Sequence, residues 1–273
     1  MNRDRILIEA DELLTRLDDP NIRIYDATIL FFRSESEKTA YETYLAGHIP
    51  GAAFFDHQAF SDPSSSYMYT ILPEAELCTQ LGNVGISADS EVIFYTTDLL
   101  PCATRAWWIL YYAGHDNVRI LNGGLAAWEK AGGKVEQGAR QYEPTTFDCR
   151  LRSDAFANMA DVQAVLEDDR VSKEYTLPTM MYGGAQIPGS SCILASDLMH
   201  EMTSFLPETE LESRLKGYSQ YDRIITYCGG GIAATLNAVA YLIIGNENVA
   251  VYDGSLTEWM GEGQPITKIG KVD

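Results

Sequence analysis

The chain of 273 residues repeats itself, and this repeat limits the possible folds more than any other feature. Residues 114–124 (GHDNVRILNGG) share their pattern with residues 245–255 (GNENVAVYDGS). Trp128 follows the first segment and Trp259 follows the second, at the same offset. A pattern that recurs with fixed internal spacing predicts two structural copies of one unit.

Two further pairs of segments extend the repeat in the same order. Residues 49–51 and 187–189 both read Ile-Pro-Gly, and the apolar run 92–95 corresponds to 224–227. Within each copy, short apolar runs alternate with stretches of helical periodicity, which is typical of a parallel sheet covered by helices on both faces. We therefore predict an α/β protein made of two tandem domains, each a parallel sheet flanked by helices.

The boundary between the copies is predicted from the absence of a pattern. Residues 132–152 show no clear period, and we place the first domain at 1–135, a linker at 136–155 and the second domain at 156–273. The second copy also looks about five residues short before its first long strand. We therefore expect that strand to be lost, or to be shifted to residues 171–177.

Composition excludes several classes of function. The formal net charge of −19 argues against nucleic acid or an anionic membrane surface as a partner, because both need a basic surface. No stretch reaches the length of about 18 apolar residues that a membrane span requires. The five cysteines are odd in number and contain no C-x-x-C pair, so we expect neither a zinc site nor a disulfide framework, and a reducing cytoplasm is favoured.

The candidate for chemistry lies in residues 224–235 (IITYCGGGIAAT), which read as a strand, a tight loop and the start of a helix. Cys228 follows the strand directly, where several backbone N–H groups converge. Such a site favours an anion, and a thiolate is one, so we predict that Cys228 is a nucleophile. The loop amides expected to surround it belong to Gly229, Gly230, Gly231, Ile232 and Ala233.

Loops of similar composition occur in phosphatases and in dinucleotide-binding proteins, and the first copy has a loop at the matching place. Cysteine phosphatases need an arginine six residues after the cysteine, and that position is Ala234 here. Gly229, Gly231 and Ala234 also fit a dinucleotide-binding fingerprint with Asp253 as its acid, but only one further strand follows. In the first copy the matching loop, residues 96–102 (TTDLLPC), lacks the glycines, and its cysteine is predicted to be a packed thiol.

Several motifs together resemble the two-domain rhodanese sulfurtransferases, and the similarity covers most of residues 6–267. Details of the first domain resemble the 3-mercaptopyruvate branch of that family. The motifs that carry the resemblance are residues 47–56 (GHIPGAAFFD), 105–108 (RAWW), 114–118 (GHDNV), 227–228 (YC) and 252–259 (YDGSLTEW).

The resemblance implies tandem rhodanese-like domains, the first non-catalytic and the second carrying the catalytic cysteine at Cys228. It implies transfer of a sulfane sulfur from a small anionic donor, 3-mercaptopyruvate or thiosulfate, through a persulfide on Cys228. The implied acceptor is cyanide or a thiol, with a thioredoxin-like protein as a further candidate. No metal or organic cofactor is implied, and neither nucleic acid nor a membrane is an implied partner.

The chain also departs from this family. Its loop has no basic residue, and Gly230 and Ala233 stand where the mercaptopyruvate branch has hydroxyl side chains. The family places an Asp-x-Arg at the end of the first long strand of domain 2, and Arg170 is our candidate for that anion-binding arginine. Asp56 and Tyr67 are candidates to line the cleft from domain 1. These departures leave a second hypothesis open, a weakly catalytic module for sulfur relay or partner binding.

Overall fold

The computed structural model describes residues 1–34 and 36–269, which form two α/β halves in tandem. The elements of the first half are α1 (Arg3–Ile6), β1 (Leu7–Ile8), α2 (Ala10–Leu14), β2 (Ile22–Asp26), α3 (Ala40–Ala46), β3 (Ala53–Phe54), α4 (Glu74–Asn83), β4 (Glu91–Tyr95), α5 (Leu100–Tyr112), β5 (Val118–Leu121) and α6 (Gly124–Lys130).

The second half repeats this series with additional short strands. Its elements are β6 (Phe156–Ala157), α7 (Met159–Ala164), β7 (Val171–Tyr175), β8 (Ala185–Gln186), β9 (Ser191–Cys192), β10 (Met199–His200), β11 (Ser204–Phe205), α8 (Glu208–Leu215), β12 (Arg223–Tyr227), α9 (Ala233–Ile243), β13 (Val249–Tyr252), α10 (Ser255–Gly261) and β14 (Thr267–Lys268).

The two main sheets have the same topology. Their strand orders are β1-β5-β4-β2-β3 and β6-β13-β12-β7-β9, and all of these pairings are parallel. The predicted α/β class with two parallel sheets is therefore confirmed. Because the strands are parallel, their carboxyl ends lie along one edge of each sheet, where loops can gather functional groups.

The first long strand of the second half is present as β7. The prediction that it might be lost is wrong, and the alternative position at residues 171–177 is confirmed. From Ile8 to Asp26 and from Ala157 to Tyr175 the chain covers the same number of residues, and both spans join the ends of equivalent strands, so the second copy is not shortened. The periodicity was hidden because β7 reads Val-Ser-Lys-Glu-Tyr. Its polar side chains are buried and find partners, since the Lys173 amine donates to the carbonyl oxygen of Leu166 at 3.0 Å and Glu174 accepts from Asn237 Nδ2 at 2.7 Å.

The two halves pack through equivalent helices. Helices α5 and α9 face each other, and their buried side chains belong to one continuous apolar cluster that includes residues of both halves. At the centre of this contact the hydroxyl oxygens of Thr104 and Thr235 lie 2.8 Å apart. Since the loop that carries Cys228 leads directly into α9, this packing places it beside the first half.

The linker returns across the first half and contradicts the expectation about cysteines. Tyr142 donates from its hydroxyl to the carbonyl oxygen of Gly51 at 2.7 Å, which holds the linker on the domain. Cys149 then meets Cys78 of α4, and the two form a disulfide with their Cα atoms 5.6 Å apart. Sequence spacing does not reveal this pair, because 71 residues separate the cysteines and tertiary structure alone brings them together.

None of the helices within the described residues is long and apolar enough to cross a membrane.

The core of the second half contains an acid whose titration should affect stability. Glu174 on β7 is buried and accepts hydrogen bonds from Asn237 Nδ2 and from the Tyr241 hydroxyl, both at 2.7 Å. Burial raises the pKa of Glu174 from 4.5 to about 7, although these two hydrogen bonds oppose the shift. The folded state therefore binds this proton more tightly than the unfolded state does.

We expect the Glu174 contribution to stability to be present below pH 4.5 and to be lost as the pH rises through about 7. Glu174→Gln should remove this dependence. Between pH 4.5 and pH 8 the free energy of unfolding of the wild type should therefore fall by about 2–3 kcal/mol relative to that of the variant. Urea unfolding at several pH values measures the difference. Glu129→Gln, at an exposed position, is the control, and equal pH slopes for wild type and Glu174→Gln would contradict the prediction.

Candidate active site

The loop between β12 and α9 presents Cys228 at the carboxyl edge of the second sheet. Cys228 follows Tyr227 directly and is only 2% exposed. The carbonyl oxygen of Cys228 accepts the Leu256 N–H at 3.1 Å, and that of Gly229 accepts the N–H of Thr257 at 3.0 Å and its hydroxyl at 2.6 Å. These bonds turn both carbonyls toward α10, and the N–H groups of the same planar peptide units point the other way.

The backbone N–H groups of the loop are available to bind an anion. Within residues 1–34 and 36–269, no protein group accepts a hydrogen bond from the N–H groups of residues 229–233. Helix α9 begins at Ala233, so the positive end of its dipole adds to the same site. The loop amides predicted from the sequence, those of Gly229, Gly230, Gly231, Ile232 and Ala233, therefore lie together after Cys228.

Ser255 lies against the nucleophile and was missed by the sequence reasoning. Its hydroxyl oxygen accepts the N–H of Cys228 at 3.1 Å and lies 4.0 Å from Cys228 Sγ. Its own proton is donated to the carbonyl oxygen of Tyr252 at 2.8 Å. The side chain is fully buried, so its hydrogen bonds are protected from competition with water.

The backbone of Ser255 is strained, and the first copy shows why this is informative. Ser255 has φ of 51°, a left-handed value that costs a residue with a side chain about 1 kcal/mol or more. The matching position in the first half is Gly124, with φ of 56°, where the strain is absent. The second copy therefore has a serine where the backbone favours glycine, beside Cys228. The repeat carried this signal, because 123–124 reads Gly-Gly and 254–255 reads Gly-Ser.

Two loops cover the site, one from each half. A Cβ atom placed on Gly229 would lie 1.9 Å from the hydroxyl oxygen of Tyr182, so this tyrosine packs directly on the loop. From the first half, the carbonyl oxygen of Met68 lies 3.7 Å from a Cβ placed on Gly230. Tyr182 is 44% exposed, so the cover is open to solvent on one side.

The structure separates the two cleft residues predicted from domain 1. Tyr67 lies next to Met68, and its hydroxyl donates to Glu262 Oε1 of the second half at 2.6 Å, so it spans the cleft. Asp56 is exposed, and its carboxylate accepts the N–H of Gln58 at 2.9 Å at the start of a 3₁₀ turn. Asp56 thus caps a turn of the first half and makes no contact with the Cys228 loop among the contacts of the described residues.

Arg170 is not at the site, and its proposed role is corrected. Arg170 comes just before Val171, the first residue of β7. Cys228 follows Tyr227, which pairs with Tyr175 at the last residue of β7. The two ends of this five-residue strand are about 16 Å apart. The Arg170 side chain is 74% exposed and forms ion pairs with Asp168 at 2.9 Å and with Asp222 at 3.7 Å. The error arose because the expected shortening of the second copy would put residue 170 at the end of the strand, whereas β7 begins at Val171.

The strand register shows what occupies the anion-binding position instead. Asp26 pairs with Tyr95 in the first half, and Tyr175 pairs with Tyr227 in the second. The Asp-x-Arg of the resemblance would therefore fall on Tyr175, Thr176 and Leu177, and the arginine is replaced by leucine. Recognition of an anion at this loop depends on backbone amides rather than on that side chain.

Two other hypotheses from the sequence concern Cys102 and Asp253. Cys102 is fully buried, and burial raises the pKa of its thiol to about 12, which confirms a packed thiol. Asp253 does not offer a free acid to a ribose, because its carboxylate forms an ion pair with Arg105 at 2.8 Å and accepts the N–H of Ile71 at 2.7 Å. The dinucleotide interpretation therefore loses its acidic residue.

We expect Ser255→Gly and Ser255→Ala to differ in stability but to have similar effects on Cys228. Glycine relieves the strain of the left-handed backbone, so the free energy of unfolding of Ser255→Gly should be about 1 kcal/mol higher than that of Ser255→Ala. Both variants lose the hydroxyl that holds the Cys228 N–H, and alkylation of Cys228 by iodoacetamide should slow about tenfold in each. Urea unfolding and alkylation rates measure these effects, and unchanged alkylation in both variants would exclude a role for the hydroxyl.

Comparison with known proteins gives a consistent result. The rhodanese-like domain family matches residues 9–131 and 151–262. The 3-mercaptopyruvate sulfurtransferase of Escherichia coli K12 is 31% identical over 265 residues, which cover 92% of this chain and 94% of that protein. The thiosulfate sulfurtransferase of Rattus norvegicus is 30% identical over 268 residues, with 92% and 89% covered. The crystal structure of SseA from Escherichia coli superposes with a TM-score of 0.82 at 28% identity, covering 91% of this chain and 98% of SseA. The chain belongs to the rhodanese family, with one rhodanese-like domain in each half.

Proposed function

We propose that this protein is a sulfurtransferase that carries sulfur as a persulfide on Cys228. The observation that carries the proposal is the group of loop amides at residues 229–233, which have no acceptor among the described residues and follow a buried cysteine. Backbone N–H groups stabilise a thiolate and a persulfide anion alike, so both half-reactions can use one set of donors. The relatives named as 3-mercaptopyruvate and thiosulfate sulfurtransferases support this activity.

In the first half-reaction the Cys228 thiolate attacks the sulfur that the donor transfers, which is the outer sulfur of thiosulfate or the thiol sulfur of 3-mercaptopyruvate. With thiosulfate, the sulfur–sulfur bond breaks and its electron pair leaves on sulfite. With 3-mercaptopyruvate, the carbon–sulfur bond breaks and the pair leaves as the enolate of pyruvate, which takes a proton from water. In each case Cys228 becomes a persulfide, as expected for covalent catalysis by an activated cysteine.

In the second half-reaction an acceptor attacks the outer sulfur of the persulfide. Cyanide would leave as thiocyanate and a thiol would leave as its own persulfide, and either step restores the Cys228 thiolate. A small thiol or a thioredoxin-like protein can serve as acceptor on chemical grounds, because the cover formed with Tyr182 is open to solvent on one side.

The donor is proposed to be a small anion, 3-mercaptopyruvate or thiosulfate, held by backbone amides. A second candidate function is favoured by one observation, the leucine at position 177 where the resemblance places an arginine. With that positive charge missing, the protein would act as a sulfur-relay module that receives sulfur from a protein persulfide. The two functions predict different responses to small donors.

We further propose that the protein works in the cytoplasm and binds neither nucleic acid nor a membrane surface. The net charge of −19 supports the second part of this proposal. Thiol labelling in fresh cell extract tests the location. A reducing cytoplasm should open the disulfide between Cys78 and Cys149 and leave both thiols to be alkylated, whereas an intact disulfide would contradict this location.

Incubation with 3-mercaptopyruvate or thiosulfate should add one sulfur atom to the protein, and cyanide should remove it. Cys228→Ser should abolish both the mass gain and thiocyanate formation, because no other described thiol lies in the amide loop. Cys192→Ser, at a half-buried free thiol, is the matched control and should keep full activity. Turnover near the wild-type level in Cys228→Ser would contradict the proposal. If the wild-type protein gains no mass from either donor, the relay module is favoured.

A further inference from the structure

A buried arginine of the first half reaches the catalytic loop of the second. Arg105 lies on α5 and is 1% exposed. Its Nη1 donates to the carbonyl oxygen of Gly231 at 3.3 Å, and its Nη2 donates to the carbonyl oxygen of Tyr69. The same Nη2 lies 2.8 Å from Asp253 Oδ1, so one guanidinium binds three separate segments.

The contact with Gly231 fixes the direction of a loop amide. The peptide bond between Gly231 and Ile232 is trans and planar, so its N–H points opposite to its carbonyl. Because Arg105 holds the carbonyl of Gly231, the N–H of Ile232 is directed away from Arg105, among the loop amides. Gly231 has φ of 76°, and a Cβ there would lie 2.5 Å from the carbonyl oxygen of Asp253, so glycine is required for this approach.

Asp253 extends the same connection to the cover of the site. Its Oδ2 accepts the N–H of Ile71 at 2.7 Å, and Ile71 belongs to the loop that places Met68 against Gly230. The Arg105–Asp253 pair therefore joins α5, the covering loop of the first half, the end of β13 and the catalytic loop. A buried ion pair of this kind contributes little net stability, because desolvation offsets the attraction, but it fixes geometry.

The pair occurs in one direction only, although the interface is built from equivalent helices. Thr104 and Thr235 occupy equivalent positions and contact each other. By the same alignment of the copies, Arg105 corresponds to Leu236 and Asp253 corresponds to Asn122. The first half therefore holds the loop of the second half through a guanidinium. In return, the carbonyl oxygen of Met202 accepts the Leu100 N–H at 3.0 Å and the Phe205 N–H donates to Asn122 Oδ1 at 3.0 Å, but among the described residues no arginine holds the loop of the first half. The half whose loop is held by an arginine is the half that carries Cys228.

We propose that Arg105 is a positioning residue of the non-catalytic half, which sets the amides of the Cys228 loop for sulfur transfer. This inference rests on the proposed function for turnover, but the shape of the loop can be measured without it. Lysine cannot replace arginine here, since a single ammonium group cannot reach several acceptors in the fixed planar arrangement of a guanidinium.

The experiment compares Arg105→Lys with Arg3→Met in the full chain. Arg3 is the matched control, because its Nη1 also crosses between the halves, to the carbonyl oxygen of Leu206 at 3.1 Å, without contacting the loop. Each variant is measured for melting temperature, iodoacetamide alkylation of Cys228, and kcat and KM for thiocyanate formation from thiosulfate and cyanide. A variant in which Arg105→Met is combined with Asp253→Asn removes both charges and avoids leaving one buried charge unpaired.

We expect Arg105→Lys and the double variant to lower kcat and the alkylation rate about tenfold with a smaller change in KM, while Arg3→Met stays at the wild-type level. Equal kcat and alkylation in Arg105→Lys, the double variant and Arg3→Met would overturn the inference. So would a loss that appears only as a lower melting temperature. If the wild type transfers no sulfur, the proposed function fails, and the alkylation rates still decide the role of Arg105.

Discussion

A buried cysteine followed by backbone N–H groups that have no acceptor among the described residues is the constraint on which the rest of this site depends. Cys228 is almost fully buried, and its loop carries no basic side chain. The proposed persulfide would therefore depend on the N–H groups of residues 229–233, and these are available only if the loop carbonyls are held elsewhere. Thr257 and Leu256 hold those of Gly229 and Cys228, and Arg105 holds that of Gly231.

The duplicated fold supplies the framework for this arrangement. Two parallel sheets of equal topology place their carboxyl edges and following loops on equivalent helices, and those helices pack against each other. The loop before α9 thus lies where side chains of α5 can reach it. The first half forms one side of the site, where Arg105 and the segment around Met68 contact the loop. Its own loop, with Cys102 buried, has no nucleophile at the corresponding place.

Much of the fold could be predicted, because periodicity and the repeat are local signals that survive in the sequence. The loop at Cys228 was equally visible, since a cysteine and three glycines between a strand and a helix have few structural explanations. Strand β7 was predicted only as one of two alternatives, because Lys173 and Glu174 are typical of an exposed segment although both are buried, and Glu174 is bound by Asn237 of α9. The disulfide and the misassigned Arg170 have the same cause, since both depend on tertiary distances that spacing does not contain.

Differences between the two copies are the clearest internal record of function in this chain. Positions that share a structural role but differ in chemistry gather around the same loop: Ser255 stands where the first copy has Gly124, despite a strained φ, and Asp253 stands where it has Asn122. Packing alone would favour glycine at the first of these positions, and a neutral side chain would avoid the desolvation cost at the second. Two unfavourable choices beside one cysteine are explained together if that cysteine must be held at an exact distance from its amides. The half that carries Cys228 therefore combines less favourable local choices with a defined loop geometry, and the first half has the relaxed residues at the same positions.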